Sequence, residues 1–193
     1  MCCSNTSLSG YHGTTRKSAE SILETSHFFK SDRDNEWAGS GIYFFIDGYT
    51  MSSAAENASK YAIKIKHLRN VVVLKAEINT HELRILDLTN MVDQDHFLKC
   101  FEFLWGEAFK RFGDVGANAI REYSHHVLEC AAINKMCDDM GYDAVIRSDY
   151  INFEQTPNHS HPYSSIPNCT MFCLRSNAHI INIRLLEVGG KHV

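Results

Sequence analysis

The sequence predicts an α+β domain built on a mostly antiparallel sheet. Short apolar runs near both ends of the chain are typical of strands, and the β-branched run at residues 71–78 is the clearest of them. Segments with apolar residues at helical spacing lie between pairs of strands, and two long ones fill the middle of the chain. Helices inserted between pairs of strands favour this fold class.

Each predicted element has a local signal. Strands are predicted at residues 8–14, 42–46, 71–78, 83–88, 142–147, 170–175 and 179–188. Helices are predicted at residues 17–25, from Ser52 or Ser53 to about residue 65, and at residues 93–112 and 117–140. The first helix carries Ala19 and Ile22 on one side, serine favours the start of the second, and Gly141 ends the last.

Length and composition are those of a globular domain. Of the 193 residues, 44% are hydrophobic and 22% charged, and the formal net charge is -4. This charge disfavours a non-specific nucleic-acid coat protein but leaves open an enzyme that reaches nucleic acid through a local basic patch. We expect a single domain over residues 1–193, with a helical insertion at roughly residues 90–140.

The sequence also predicts a cytoplasmic protein that does not bind membranes. The N-terminus lacks the basic and apolar regions of a signal peptide, and no apolar stretch reaches the length of a membrane span. Seven cysteines, an odd number, are scattered through the predicted elements, which is typical of reduced thiols.

Residues 11–14, with the sequence Tyr-His-Gly-Thr, lie at the end of the first predicted strand. Because Gly13 has no Cβ, its backbone N–H and C=O can approach a flat ligand closely, and a primary carboxamide needs such a donor and acceptor. His12 can hydrogen-bond a sugar hydroxyl. Taken alone, the pattern fits a buried histidine bonded to the backbone better than it fits a site.

Residues 37–45, Trp-Ala-Gly-Ser-Gly-Ile-Tyr-Phe-Phe, form the second motif. Gly39 and Gly41 lead into an aromatic strand, where backbone can lie against a ligand. Tyr43 can place its ring on a cationic heteroaromatic ring, a contact worth about 0.5–2 kcal/mol. A core tyrosine is the alternative. The phosphate-loop pattern of nucleoside triphosphatases is absent from the sequence.

In this order, the two motifs resemble the ADP-ribosyltransferase superfamily, in its diphtheria-toxin-like and poly(ADP-ribose) polymerase-like branch with a His–Tyr–Glu triad. The resemblance continues through residues 54–62, which look like the following helix with its tyrosine, Tyr61. Residues 141–146 and 172–180 look like the closing strands. The matched motifs lie at the two ends of the chain, and the helical middle is unmatched.

The resemblance implies two small, mostly antiparallel sheets packed face to face around an NAD cleft. His12 would hold a ribose hydroxyl, and Tyr43 and Tyr61 would stack on the two sides of the nicotinamide. The residues that the resemblance assigns to NAD are His12, Gly13, Thr14, Gly41, Tyr43 and Tyr61.

The family glutamate has no counterpart at its expected place, near Thr170 or Met171, because residues 168–172 read Asn-Cys-Thr-Met-Phe. The nearest carboxylate belongs to Glu154, in a loop that lies where the family's target-recognition loop should be. Such a carboxylate would stabilise the charge that develops on the sugar as the glycosidic bond breaks. Glu154 is therefore the third candidate catalytic residue, and a solvated loop glutamate is the alternative.

The function implied is NAD-dependent mono-ADP-ribosylation of a macromolecule, either protein or nucleic acid, with release of nicotinamide. Small members of the family are often toxins, effectors or phage-defence proteins, which would imply an antitoxin or inhibitor as a partner. Three alternatives stay open: an NAD glycohydrolase, a catalytically inactive NAD- or partner-binding module, and an RNA 2′-phosphotransferase. The last needs clustered arginines, which the sequence disperses.

No metal site is predicted. The metal-ligand types in the last third of the chain do not have the spacing of a structural zinc site. They are His159, His161, Cys169 and Cys173.

Overall fold

A computed structural model of the chain describes residues 7–48, 52–122, 125–153 and 166–186, and of residues 108, 111–122 and 125 the backbone alone. Within these ranges the α+β prediction is confirmed, since helices pack on a mostly antiparallel sheet. None of the helices described there has the combination of length and apolar character that crossing a bilayer requires.

The elements follow the predicted order with small changes at their ends. The strands are β1 (Ser7–Thr15), β2 (Ile42–Phe45), β3 (Val71–Asn79), β4 (Ile85–Asp87), β5 (Ala144–Asp149), β6 (Cys169–Leu174) and β7 (Ile180–Leu186). The helices are α1 (Arg16–Thr25), α2 (Ala54–Lys60), α3 (Met91–Glu122) and α4 (His125–Met140). A π-helical segment, Tyr61–Ile65, continues α2, and a 3₁₀ turn, Asn177–His179, precedes β7.

The start of α2 differs in detail from the prediction. Ser53 occupies the N-cap position, but its side chain makes no capping hydrogen bond. The carboxylate of Asp47 accepts the backbone N–H of Ala54 instead, at 2.7 Å. A side chain that lies six residues before the cap satisfies one of the free N–H groups of the first turn, which a local pattern does not reveal.

The strands form one sheet in the order β4-β5-β6-β2-β1-β3-β7, and the described pairs are antiparallel except for β4 with β5. The predicted two separate sheets are therefore wrong as stated. The sheet nevertheless divides into a four-stranded and a three-stranded half, because β1 and β2 share a single residue pair, Tyr11 with Phe45. That pair keeps the two halves hydrogen-bonded as one sheet.

The two long helices lie within the predicted helical insertion, but the break between them is displaced. The sequence predicts an end near residue 112, whereas α3 continues past Gly113 and Gly116 to Glu122. A glycine inside a helix costs about 1 kcal/mol relative to alanine, which the rest of a helix of 32 residues can offset. Gly141 ends α4 as predicted, with a φ of 66°.

Two apolar layers cover the two faces of the sheet, because successive side chains of a strand point to opposite sides. One layer packs α1 against side chains such as Phe44, Leu74 and Phe172. The other packs α2 against side chains such as Phe45 and Met171, and α4 against side chains such as Val145 and Cys173. We call these two sides the α1 face and the α2 face.

Two glycines of the predicted site are needed by packing within the protein. A Cβ on Gly13 would lie 2.0 Å from the carbonyl oxygen of Ala58, so α2 can cross β1 only at a glycine. A Cβ on Gly41 would lie 2.5 Å from the Sγ of Cys173 and 2.8 Å from the carbonyl oxygen of Leu174. Protein atoms, and not a ligand, therefore occupy the space on these sides of the two glycines.

We predict opposite effects on stability for alanine at Gly13 and at Gly106. Gly13→Ala should lower the free energy of unfolding by roughly 1–3 kcal/mol, because α2 must shift to admit the methyl group. Gly106→Ala is the matched control: within the described residues nothing lies within 4 Å of the added Cβ, so this helix should gain about 0.5–1 kcal/mol. Urea unfolding measures both, and equal stability of the two variants would contradict the packing of α2 on β1.

Candidate functional site

His12 lies where β1 and β2 part, and it has a defined tautomer. Its Nδ1 is 2.8 Å from the carbonyl oxygen of Tyr43. Because a carbonyl can only accept, Nδ1 carries the proton, and in the neutral ring Nε2 is left as an acceptor. The ring packs edge-on against Phe28 at 5.3 Å and Phe44 at 6.1 Å between ring centres. Burial lowers the pKa of His12, which keeps the imidazole neutral at pH 7.

Tyr43 is fixed through its hydroxyl, on the α2 face. The hydroxyl donates to the carbonyl of Gly39 at 2.6 Å and accepts the backbone N–H of Ala38 at 2.8 Å. Gly39 has a φ of 75°, a left-handed conformation that glycine adopts without strain. Burial raises the pKa of Tyr43, so the phenol stays protonated and donates. The ring itself is half-buried and packs on the core below it.

Half-buried aromatic side chains gather around the same core on the α2 face. They are Tyr11, Trp37, Tyr43 and Tyr61. The ring of Tyr61 lies 6.4 Å from that of Trp37 and 5.7 Å from that of Phe45, measured between centres. Burial raises the pKa of Tyr61 to about 12. Tyr61 opens the π-helical segment, a rare conformation that often occurs at functional sites.

Arg147 connects this aromatic group to two carboxylates. Its Nη1 donates to Glu129 and to the carbonyl oxygen of Trp37, both at 2.8 Å, and its Nη2 lies 3.1 Å from Asp149 Oδ2. All three charged side chains are at least three-quarters buried. Asp149 Oδ2 is fully buried, yet within the described residues it accepts no hydrogen bond, so the ion pair leaves an acceptor unsatisfied.

Asp149 lies next to the place where the family glutamate is missing. It pairs across the strands with Cys169, the first residue of β6, and the thiol of Cys169 donates to its carbonyl at 3.3 Å. Burial raises the pKa of Cys169 to about 12, so this thiol stays protonated. A carboxylate is thus present at the start of the penultimate strand, although it belongs to the neighbouring strand β5.

The structure brings some of the predicted residues together and separates others. The His12 ring touches the backbone of Tyr43, whereas the two rings belong to opposite faces of the sheet. Tyr43 and Tyr61 share one core cluster, as a common site requires. Thr14 is buried opposite Val72. Glu154 lies outside the described residues, as do the two histidines of the excluded zinc pattern.

No family model matches the chain. No solved structure matches it either. A stretch of 81 residues is 40% identical to an uncharacterized protein of Methanocaldococcus jannaschii. The match spans 42% of this chain and 37% of that protein, so the chain covers well under half of its relative. The relative has no described activity to carry over, and the function rests on the site itself.

Sequence reasoning missed the charged group around Arg147. Arg147 and Asp149 are two residues apart on one strand, a spacing that places both side chains on one face and could have indicated them. Glu129 comes from α4, and the oxygen of Trp37 comes from the loop before β2. Their meeting with Arg147 depends on how helix and loop pack on the sheet, which no local pattern records.

The partly buried, neutral His12 predicts a dependence of stability on pH. Its folded pKa lies below the usual value near 6.5, so its contribution is complete above that pH and is lost as the pH falls, because the unfolded chain takes up a proton that the folded ring excludes. Between pH 7 and 5.5 the loss from this group reaches at most about 1.3 kcal/mol. Urea unfolding of wild type and of His12→Gln at both values measures the difference.

The exposed His81 provides the control, since His81→Gln removes a histidine outside the core. We expect His12→Gln to weaken the pH dependence while His81→Gln leaves it close to that of wild type. Identical pH dependence in wild type and His12→Gln would show that folding does not lower the pKa of His12.

Proposed function

We propose that the protein is an NAD-dependent mono-ADP-ribosyltransferase that modifies a macromolecule and releases nicotinamide. The observation that carries the proposal is the hydrogen bond from His12 Nδ1 to the carbonyl of Tyr43. It joins the two sequence motifs at one point and fixes His12 Nε2 as an acceptor. Two motifs that are each weak alone therefore meet in the fold, which a chance resemblance would not require.

The aromatic group on the α2 face suits a flat, cationic ring. Tyr43 is held rigidly by its hydroxyl, and Tyr61 packs on the same core. A positively charged pyridinium gains about 0.5–2 kcal/mol from the face of an aromatic ring. When the glycosidic bond breaks, the nicotinamide becomes neutral and this attraction falls, which favours departure of the leaving group.

His12 suits a ribose hydroxyl because it offers an acceptor that does not titrate near neutral pH. Within the described residues Nε2 forms no hydrogen bond, and it is not among the fully buried polar atoms. A hydroxyl that donates to Nε2 would be held at a fixed distance from Tyr43, since the same ring is bonded to the Tyr43 backbone. The imidazole thus positions the sugar without changing its charge.

The transfer itself exchanges one bond at the sugar carbon for another. The carbon–nitrogen bond breaks and nicotinamide leaves with the electron pair, the acceptor nucleophile bonds to the same carbon, and the acceptor loses a proton. The positive charge that develops on the sugar needs a carboxylate nearby. Glu154 is the candidate from the sequence, and Asp149, with its unsatisfied buried oxygen, is the candidate from the fold.

Incubation with NAD that carries a label on the adenylate part tests the proposal. We expect wild type to release nicotinamide and to label a macromolecular fraction of cell extract, and separate protease and nuclease digestion then identifies the acceptor class. Free ADP-ribose as the sole product would indicate the glycohydrolase. Binding of NAD without nicotinamide release would leave an inactive NAD-binding module and end the claim of enzymatic activity.

Variants at the two motifs test the site. His12→Ala and Tyr43→Ala should each abolish turnover, at least about 100-fold, while circular dichroism stays that of wild type. Tyr43→Phe is the matched control, because it keeps the ring and removes the bonds of the hydroxyl to Gly39 and Ala38. Tyr43→Phe should retain more activity than Tyr43→Ala. Full activity in both alanine variants would refute this site.

Amide variants separate the carboxylates in the same assay. The carboxylate that supports the reaction is the one whose amide variant, Glu154→Gln or Asp149→Asn, loses turnover by roughly 10²–10³-fold. Glu24→Gln changes an exposed carboxylate on α1 and should leave turnover unchanged. Wild-type rates in all three variants would mean that neither candidate carboxylate takes part.

A further inference from the structure

Positive charge is concentrated in one stretch of an otherwise acidic chain. Residues 57–76 contain Lys60, Lys64, Lys66, Arg69 and Lys75 and no aspartate or glutamate, although the whole chain has a net charge of -4. Of these side chains, Lys75 is half-buried and the rest are exposed. Arg184 is exposed directly across from Lys75 on β7. These six residues are called the basic surface below.

The residues of the basic surface form no ion pair within the described residues. The lysines and arginines that do form ion pairs within the described residues lie outside the basic surface. They are Lys99, Lys110, Lys135, Arg147 and Arg175. Exposed like charges repel one another and gain from an anionic partner. The basic surface is therefore a group of six cationic residues that form no ion pair with a carboxylate among the described residues.

The strand residues of the basic surface lie on the α2 face of the sheet, which α2 itself covers in part. Helix α2 crosses β1 at Gly13, and Tyr11, two residues away, points to the same face. Tyr11 pairs with Lys75, which pairs with Arg184, so three neighbouring strands extend the surface away from the helix. The lysines of α2 and the π-helical segment border it on the other side.

Aromatic rings lie inside this surface. The ammonium of Lys66 is 5.5 Å from the centre of the Tyr61 ring, and that of Lys75 is 5.7 Å from the centre of the Tyr11 ring. Half-exposed rings beside cations are the platforms on which the bases of single-stranded nucleic acids stack. Beyond Tyr11 the sheet forms a shallow concavity of about 280 Å³, lined by Ser9, Lys75, Glu77, Asn182 and Arg184.

We propose that the basic surface binds single-stranded nucleic acid, with phosphates on the lysines and arginines and bases on Tyr11 and Tyr61. An acidic protein segment would match the charge but not the rings. The single acid in the concavity, Glu77, faces Asn182 across the strands. The proposal that this surface binds nucleic acid does not depend on the proposed transferase. The proposal that the surface presents the acceptor for ADP-ribosylation rests on the proposed transferase, whose aromatic group contains the same Tyr61.

Fluorescence anisotropy with a labelled single-stranded 20-nucleotide probe tests the surface without NAD. We expect wild type to bind, with an affinity that falls as salt rises, by a logarithmic slope of roughly 0.7 for each phosphate contacted. Lys64→Ala with Arg184→Ala removes one charge from the helix and one from the sheet. This double variant should bind roughly 10- to 30-fold more weakly at 0.1 M salt, with a slope smaller by about 1.4.

Lys99→Ala with Lys135→Ala is the matched control, since it changes the net charge equally but removes lysines that are already ion-paired. It should bind within about twofold of wild type. The proposal is overturned if wild type fails to bind the probe at 50 mM salt, or if both double variants weaken binding equally. It is also overturned if phosphatidylserine vesicles bind the protein and the probe does not.

The same variants distinguish the two proposals. Nicotinamide release from NAD by a protein that does not bind the probe would reject the basic surface and keep the transferase. Probe binding without any nicotinamide release would keep the surface and reject the transferase.

Discussion

The parting of β1 and β2 is the constraint on which the rest of the structure depends. Within the described chain a single pair, Tyr11 with Phe45, joins the two strands before β1 continues with β3 and β2 with β6. Past that pair the carbonyl of Tyr43 would lose its strand partner, and a buried backbone carbonyl without a partner is costly. The imidazole of His12 satisfies it at 2.8 Å. His12 therefore has a structural role, because it completes the hydrogen bonding of the sheet at this junction.

The same junction decides where a ligand can lie. Side chains alternate along a strand, so His12 joins the layer of Phe28 and Phe44 on the α1 face, while the Tyr43 ring joins the α2 face. A continuous sheet would keep two such groups apart. Only where the strands separate can one molecule touch both, and Gly13 lets α2 approach that place closely. The glycines are required for the packing, and the packing determines the shape of the candidate site.

Features that depend on interactions between neighbouring residues could be predicted from the sequence, whereas features that depend on contacts between distant residues could not. The β-branched run at residues 71–78 and the glycine at 141 act through nearest neighbours, and both gave correct elements. The continuity of the sheet depends on one pair between residues 11 and 45, which strand patterns alone do not specify. The predicted break between the long helices is misplaced, because the two glycines near residue 112 are weak helix breakers and α3 continues through them.

Net charge is a second property for which the sequence does not reveal the local structure. A net charge of -4 describes the average over the chain, and a ligand meets only the local field. Around Trp37 one arginine is enclosed with two carboxylates, so that part of the site carries one negative charge in excess. The neighbouring lysines form no ion pair within the described residues, and salt screens their charge over about 10 Å at 0.1 M. Tyr61 lies between the two regions, with Trp37 on one side of its ring and Lys66 over it. An anion drawn to the lysines would therefore be brought to the aromatic group, from a direction that the acidic average of the sequence conceals.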